Sequence, residues 1–413
     1  MARLKGFKKL TPVEKALKTF FEHLNIHKPK AALVSLDMAL NRVLAEPITA
    51  EEDLPRFDKS AVDGYAVRAE DTVGASQFKP VMLEITQNAA IGKKQAKQVW
   101  TGAKLPKGAN AVLMLENTRH EGNKLEVWTA VASGENVSKR GEDIKKGETV
   151  LKAGVRLKPQ HLGMIAALGK ATVKVFEKPK IAILTTGNEL VRVGEKPREN
   201  QIFDTNSHMI SALCRELGAD VLDLGITRDM VDEIIGKLEF GLKKADALIC
   251  TGGTSVGGLD LVPEAVNKIG KPGVIVHGIA MRPAMPTALA IINEKPVLIL
   301  SGNPVAAFFG FEVFGRPLLG KLCGMEREEP RPSTIAKLVK KTTSALGRKT
   351  FVRVRVFYEN GELFAEPISS RGSGLVSTLT KSNGYVVVPE NREGLEEGEM
   401  VTVSLFDVLE ERF

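Results

Sequence analysis

Four short apolar runs, Ile181-Ala-Ile-Leu184, Asp220-Val-Leu-Asp-Leu224, Ala247-Leu-Ile-Cys250 and Val297-Leu-Ile-Leu300, constrain this chain more than any other feature. Each is bounded by turn residues, and stretches of helical character from His208 to Leu217 and from Val231 to Leu242 separate several of them. Strands that are apolar throughout, rather than at alternate positions, are buried on both faces. Alternation with helices then implies a parallel-rich sheet with helices on either side. This α/β domain is expected to span residues 178–327, ending at the charged, proline-rich Glu328-Glu-Pro-Arg-Pro332.

The flanks read differently. Thr11-Pro-Val-Glu14 has the form of a capping box with proline at the first helical position, predicting a helix to about Leu24. A second helical stretch is expected from Ser35 to about Ala45, stopping before Pro47. Residues 51–137 carry short strands divided by Gly, Pro and Asn turns, such as Ala111-Val-Leu-Met-Leu115 and Leu125-Glu-Val-Trp128, and read as a small β-rich unit. That unit interrupts an N-terminal part formed by 1–50 and 138–177. Beyond 333, Phe351–Tyr358, a turn at Asn360-Gly361 and Leu363–Pro367 spell a β-hairpin within an all-β C-terminal domain. The chain is therefore expected to be a multi-domain α/β protein.

Composition excludes several functions. Of the 413 residues 43% are hydrophobic and 26% charged, as in globular proteins with well-filled cores. The net charge of +8 suits an anionic substrate but is too dispersed for a nucleic-acid stripe, and aromatics at 5% offer no stacking platform. Cys214, Cys250 and Cys323 are far apart, which argues against a disulfide framework or thiolate zinc site and for a reducing compartment. No apolar stretch is long enough to span a bilayer, and the basic start lacks the apolar region of a signal peptide, so a cytoplasmic protein is expected. Neither zinc-hydrolase histidine spacing nor a G-x-S-x-G elbow occurs.

The chemistry gathers where the apolar runs end. Leu248-Ile-Cys-Thr-Gly-Gly-Thr-Ser-Val-Gly-Gly-Leu-Asp260 carries a buried strand into a glycine-rich turn. Gly252 and Gly253 allow backbone N–H groups close to an anion, and Thr254 and Ser255 add hydroxyl donors. The turn has neither a Walker A lysine nor a dinucleotide fingerprint, and a glycine turn with no ligand is the alternative reading. Two further turns sit at equivalent positions, one with Thr185, Thr186 and Glu189, the other with Ser301, Gly302 and Asn303. Ligands of open α/β sheets bind outside the strand carboxyl ends, so three polar turns there imply one pocket. Glu189, Asp229 and Asp260 could converge on Mg²⁺ together with substrate phosphates; alternatively each caps a helix or faces solvent.

Six segments in order complete a pattern: Phe57-Asp-Lys-Ser-Ala-Val-Asp-Gly-Tyr-Ala-Val67, Trp100-Thr-Gly-Ala-Lys-Leu-Pro-Lys-Gly-Ala-Asn-Ala-Val112, Arg140-Gly-Glu-Asp-Ile144, Thr185-Thr-Gly-Asn-Glu189, Thr251-Gly-Gly-Thr-Ser-Val256 with Asp260, and Gly302-Asn-Pro-Val305. With these the chain resembles the MoeA family of molybdopterin molybdenumtransferases, relatives of the gephyrin E domain. The resemblance implies an extended N-terminal dimerisation part with an inserted β unit, a MogA-like α/β domain and a C-terminal β barrel. It implies a homodimer that receives adenylylated molybdopterin, supplied upstream by a MogA-type adenylyltransferase. AMP is then released with Mg²⁺, and metal from molybdate or tungstate is inserted. Asp58, Thr101, Asp143, Glu189, Asp229 and Asp260 match positions important in the family. Of these, Glu189, Asp229 and Asp260 are assigned to metal and phosphate, and Asp58 and Asp143 are expected to reach the site from a partner subunit.

Two positions depart from the pattern. Where the family carries K-P-G-K-P this chain has Arg282-Pro-Ala-Met-Pro286, so one cation survives as Arg282 and the other is Met285; Ala306 stands where serine is frequent. Loss of a charge-assisted donor removes a strong oxyanion contact, which implies altered oxyanion affinity or choice, or a divergent paralogue. Arg348, Arg353 and Ser373 could compensate. Alternative readings are a molybdopterin adenylyltransferase and a molybdopterin-binding scaffold, and nucleic-acid binding is disfavoured.

Overall fold

The computed structural model describes residues 10–253, 260–368 and 372–411. Its centre is a six-stranded sheet. In chain order the elements are β1 (Lys180–Thr186), α1 (Asn206–Glu216), β2 (Asp220–Thr227), α2 (Val231–Lys244), β3 (Ala247–Thr251), α3 (Leu261–Ile269), β4 (Pro272–His277), β5 (Ala288–Ile292), β6 (Lys295–Leu300) and α4 (Pro304–Gly310). The strand order is β2-β1-β3-β6-β5-β4. The first four are parallel, while β5 and β4 close one edge antiparallel.

Alternate residues of each central strand enter different cores, the period-two geometry of a pleated strand. Ile181, Ile183, Ile249, Leu298 and Leu300 face α1 and α4, whereas Ala182, Leu184, Leu248, Cys250, Val297 and Ile299 face α2 and α3. Both faces of β1, β3 and β6 are covered, hence their apolar runs, whereas β2, at the sheet edge, exposes Asp220 and Asp223 and is not buried on both faces as its sequence run led one to expect.

The helix at Val13–Glu22 buries Val13, Ala16 and Phe20 in the α1-side core. The expected capping box does not form. Thr11 is drawn into a parallel bridge with Ile279, donating its N–H to Gly278 O and accepting from Ala280 N, and Pro12 takes the N-cap position without a side-chain cap. The helix expected from Ser35 is also absent. Ala31–Ser35 is a strand antiparallel to Thr172–Phe176, followed by a 3₁₀ turn at Leu36–Met38, and Asn41 at φ 61° turns the chain away. Pairing with a segment far along the chain overrides the local amphipathic pattern.

Residues 64–127 form a second six-stranded sheet over its own core of Tyr65, Val67, Leu83, Ala96, Leu113, Leu125 and Val127. At the other end Ser333–Leu338, Lys349–Glu359, Glu362–Pro367, Gly384–Val388 and Met400–Leu405 close on one another as a five-stranded β barrel. The hairpin turns at Asn360 and Gly361, both at positive φ, as anticipated. An aromatic cluster of Phe308, Phe309, Phe351, Tyr385 and Phe406, with ring centroids 5.3–5.8 Å apart, packs the barrel on the α/β domain. The proline-rich connection between them is anchored rather than loose: Arg331 donates to the buried Glu312 carboxylate at 2.7 and 3.0 Å.

Candidate active site

The carboxyl ends of β1, β3 and β6 open into a cavity of about 1090 Å³, whose wall includes Thr185, Thr186, Glu189, Asp229, Gly252, Gly253, Ser301, Gly302 and Asn303. The three turns singled out in the sequence therefore share one pocket. Gly252 lies at φ +90°, and a Cβ there would come within 2.3 Å of the Thr186 carbonyl oxygen. Only glycine fits this approach, which brings the β3 turn against the end of β1. Gly253 is similarly confined at φ +65°, with Val262 2.5 Å from a notional Cβ. Gly252 N–H donates to Leu300 O (3.1 Å), joining the turn to β6.

Asn188 and Asp229 hold the neighbouring turns together reciprocally: Asn188 N–H donates to Asp229 Oδ2 (3.4 Å) and Asp229 N–H to Asn188 Oδ1 (3.2 Å). Asp260 is exposed at the N-cap of α3 without a side-chain capping bond, and it is not among the residues lining this cavity. Thr254 and Ser255 lie outside the described residues. Among the described residues no three His, Cys, Asp or Glu side chains converge closely enough to hold a metal ion by themselves. Mg²⁺, however, commonly takes one or two carboxylates and completes its shell with water and substrate phosphates. Glu189 and Asp229 on one rim fit that role.

The charge distribution is lopsided. Glu189, Asp204 and Asp229 line the large cavity, with no Lys or Arg among the described lining residues. A second cavity of about 390 Å³ shares Pro286, Ser301 and Asn303 with the first, and holds Arg282, Arg348 and Arg353 with no described acid. Burial lowers the pKa of the Arg353 guanidinium from its usual value. Met285, Ala306 and Ser373 line this second cavity too, so both departures from the family pattern fall on its wall, next to all three candidate compensating residues. The left-handed position in the Arg282–Pro286 loop is occupied by Ala284, at φ 76°.

Asp58, Thr101 and Asp143 line neither cavity of their own chain. They lie exposed where the inserted β unit meets the N-terminal part. Arg140 N–H donates to Asp58 Oδ1 (2.8 Å), Asp143 N–H to Leu54 O (3.1 Å), and Gly102 N–H to Ser60 O (2.8 Å). Thr101 donates both its N–H and its hydroxyl to Asp63 Oδ1 at 2.7 Å, and these bonds hold the Asp63 carboxyl below its usual pKa.

Sequence reasoning passed over Asp63, Asp204 and Asn206. The last two are brought to the cavity by a short parallel pairing of Leu190–Val191 with Ile202–Phe203. They follow no strand of the main sheet, so the strand-end rule does not find them. The one available signal was the cluster of short polar side chains, Asp204-Thr-Asn-Ser207, opening a helix.

Family descriptions match the chain in order: "MoeA N-terminal region (domain I and II)" over residues 11–169, "Probable molybdopterin binding domain" over 182–321 and "MoeA C-terminal region (domain IV)" over 336–406. A molybdopterin biosynthesis protein of Methanocaldococcus jannaschii is 41% identical across 97% of this chain and 100% of its own. The chain belongs to the MoeA family of molybdenum-cofactor biosynthesis proteins. The molybdopterin molybdenumtransferase of Bacillus subtilis is 35% identical over 90% of this chain and 89% of its own. The crystal structure of the molybdopterin biosynthesis MoeA protein from Pyrococcus horikoshii superposes with a TM-score of 0.82, at 36% identity over 96% of this chain and 100% of that one. The MogA-like central domain and the closed C-terminal barrel agree with this membership. No helix among the described residues is long and apolar enough to cross a membrane.

Proposed function

We propose that this protein is a molybdopterin molybdenumtransferase that takes adenylylated molybdopterin and an oxyanion, molybdate or tungstate, inserts the metal and releases AMP with Mg²⁺. The observation that carries this reading is the pair of adjoining cavities of opposite charge. The large one offers backbone N–H groups and hydroxyls to phosphates but surrounds them with carboxylates, so a pyrophosphate needs a cation there. The small one is lined with guanidinium groups and suits an oxyanion directly. Because the cavities share Ser301 and Asn303, reactants bound in each would lie side by side, which is what a transfer between them requires.

Within this reading Glu189 and Asp229 would hold Mg²⁺ with water and substrate phosphates completing its shell, and the ion would supply charge neutralisation at the pyrophosphate; Asp260, at the head of α3, is the third acid that the family resemblance assigns to this role. Gly252, Gly253 and Thr186 orient the phosphates. The Asp58–Thr101–Asp143 surface of one subunit of a homodimer faces the cavity of the other. Arg282, with Arg348 and Arg353, holds the oxyanion, taking over from the lysine replaced by Met285.

The test is AMP release from adenylylated molybdopterin with Mg²⁺, adding molybdate and tungstate separately. Oxyanion-stimulated release that is lost in Asp229→Asn and in Asp260→Ala is expected; no release with either oxyanion overturns the reading. Asp58→Ala and Asp229→Ala subunits, inactive separately, regain partial activity when mixed as heterodimers if the site is shared. Met285→Lys tightens oxyanion binding, and an unchanged affinity for molybdate and tungstate removes position 285 from the oxyanion site.

A further inference from the structure

Asn206, the first residue of α1, is 5% exposed and lines the large cavity. Its Nδ2 donates to Gly302 O at 2.8 Å. That bond decides which way the amide faces, because the flipped amide would set its oxygen against a carbonyl oxygen. The opposite atom, Oδ1, is buried and has no hydrogen-bond partner among the described residues. A buried acceptor without a donor is costly, and such atoms are few in native proteins. Asp204, two residues earlier on the same wall, presents another acceptor group, with one oxygen bonded to Ser207 N–H at 3.0 Å.

This wall is therefore the wrong side for a phosphate, itself an acceptor. Phosphates belong against the Gly252–Gly253 turn and the Thr186 hydroxyl. We propose that Asn206 is a specificity-determining residue, its Oδ1 accepting a hydrogen bond from an O–H or N–H group on the non-phosphate portion of the substrate. The inference rests on the function proposed above and deepens it. Two parts of that substrate carry suitable donors: the adenylyl half, through its sugar hydroxyls and 6-amino group, and the pterin half, through its 2-amino group.

Calorimetric titration of the full chain separates them. The probes are AMP, 2′-deoxyAMP, 3′-deoxyAMP and IMP for the first half, and pterin and lumazine, in which an oxo group replaces the 2-amino group, for the second. Removing the donor that Asn206 reads weakens binding about tenfold in the wild type and not further in Asn206→Ala. Coupling to a nucleotide analogue assigns the adenylyl half, and coupling to lumazine assigns the pterin half. Asn206→Asp loses the donor to Gly302 but keeps acceptor oxygens, so it retains the discrimination. Pyrophosphate affinity stays the same in wild type and Asn206→Ala.

An equal loss for every probe, pyrophosphate included, means that Asn206 only buttresses Gly302, and overturns the inference. If wild type binds AMP and pterin and no analogue couples, the inference fails while the proposed function stands. If wild type binds neither parent, the proposed function falls and takes the inference with it.

Discussion

Replacing Gly252 by alanine tests the construction of the site at its tightest point. At φ +90° an L-residue is in left-handed backbone, which costs about 1–2 kcal/mol. The new methyl would also sit 2.3 Å from Thr186 O and 3.2 Å from Thr186 Oγ1, so β1 and β3 must part at their carboxyl ends. Overpacking of this kind costs about 1–3 kcal/mol. The sum, about 2–5 kcal/mol, is a large share of the roughly 5–15 kcal/mol that holds a typical domain folded. At about 2–4 °C per kcal/mol for a domain near this size, the α/β transition should fall by roughly 4–20 °C. Gly236 is the control: it sits within α2 with nothing within 4 Å of a notional Cβ, so Gly236→Ala should stabilise by about 0.5–1 kcal/mol. Thermal melts followed by circular dichroism, with pyrophosphate titrations on the folded proteins, provide the readout. A Gly252→Ala protein that melts with wild type and binds pyrophosphate normally would refute the argument that this approach builds the site.

Other perturbations have equally direct outcomes. Glu312, with its side chain 1% exposed between Arg331 and Arg316, should cost about 3–5 kcal/mol when changed to alanine, because both guanidiniums lose their buried partner; a denaturant midpoint measures it. The Asp63 carboxyl is held below its unfolded value of about 3.9 by Thr101. Its stabilising contribution is thus complete above that value and disappears as pH falls through the lower folded pKa; Asp63→Asn should remove this part of the acid-side slope in melts taken between about pH 2 and 5. Cys214, Cys250 and Cys323 are all buried, and burial pushes the Cys214 thiol up to about 12 and raises the other two. A thiol reagent at neutral pH should therefore label none of them in the folded chain and all three in guanidinium; rapid labelling of the native protein would contradict their placement in the core.

What the sequence determined by itself is what depends on short-range pattern. The apolar runs Ile181–Leu184, Ala247–Cys250 and Val297–Leu300 implied covered strands, and the glycine-bearing polar segments that follow them implied turns at the sheet's carboxyl edge. The hairpin at Asn360-Gly361 follows from two residues that accept positive φ. Motif order in the chain was enough to indicate the MoeA family. Local pattern failed where a remote segment competed: Thr11 is taken by Ile279, Ala31–Ser35 by Thr172–Phe176, and Val43 and Leu44 by Arg156 and Val175. Only the tertiary structure decided how charge is divided. Acids from the turns after β1 and β2 and from the Ile202–Asn206 segment meet on one side of Ser301, and guanidiniums from the Arg282 loop and the barrel meet on the other. These residues are spread along the chain from Glu189 to Arg353, and nothing in their local sequence encodes which of them become neighbours. That follows from how the sheet, the barrel and the segment between them pack, because burial is a property of assembled surfaces.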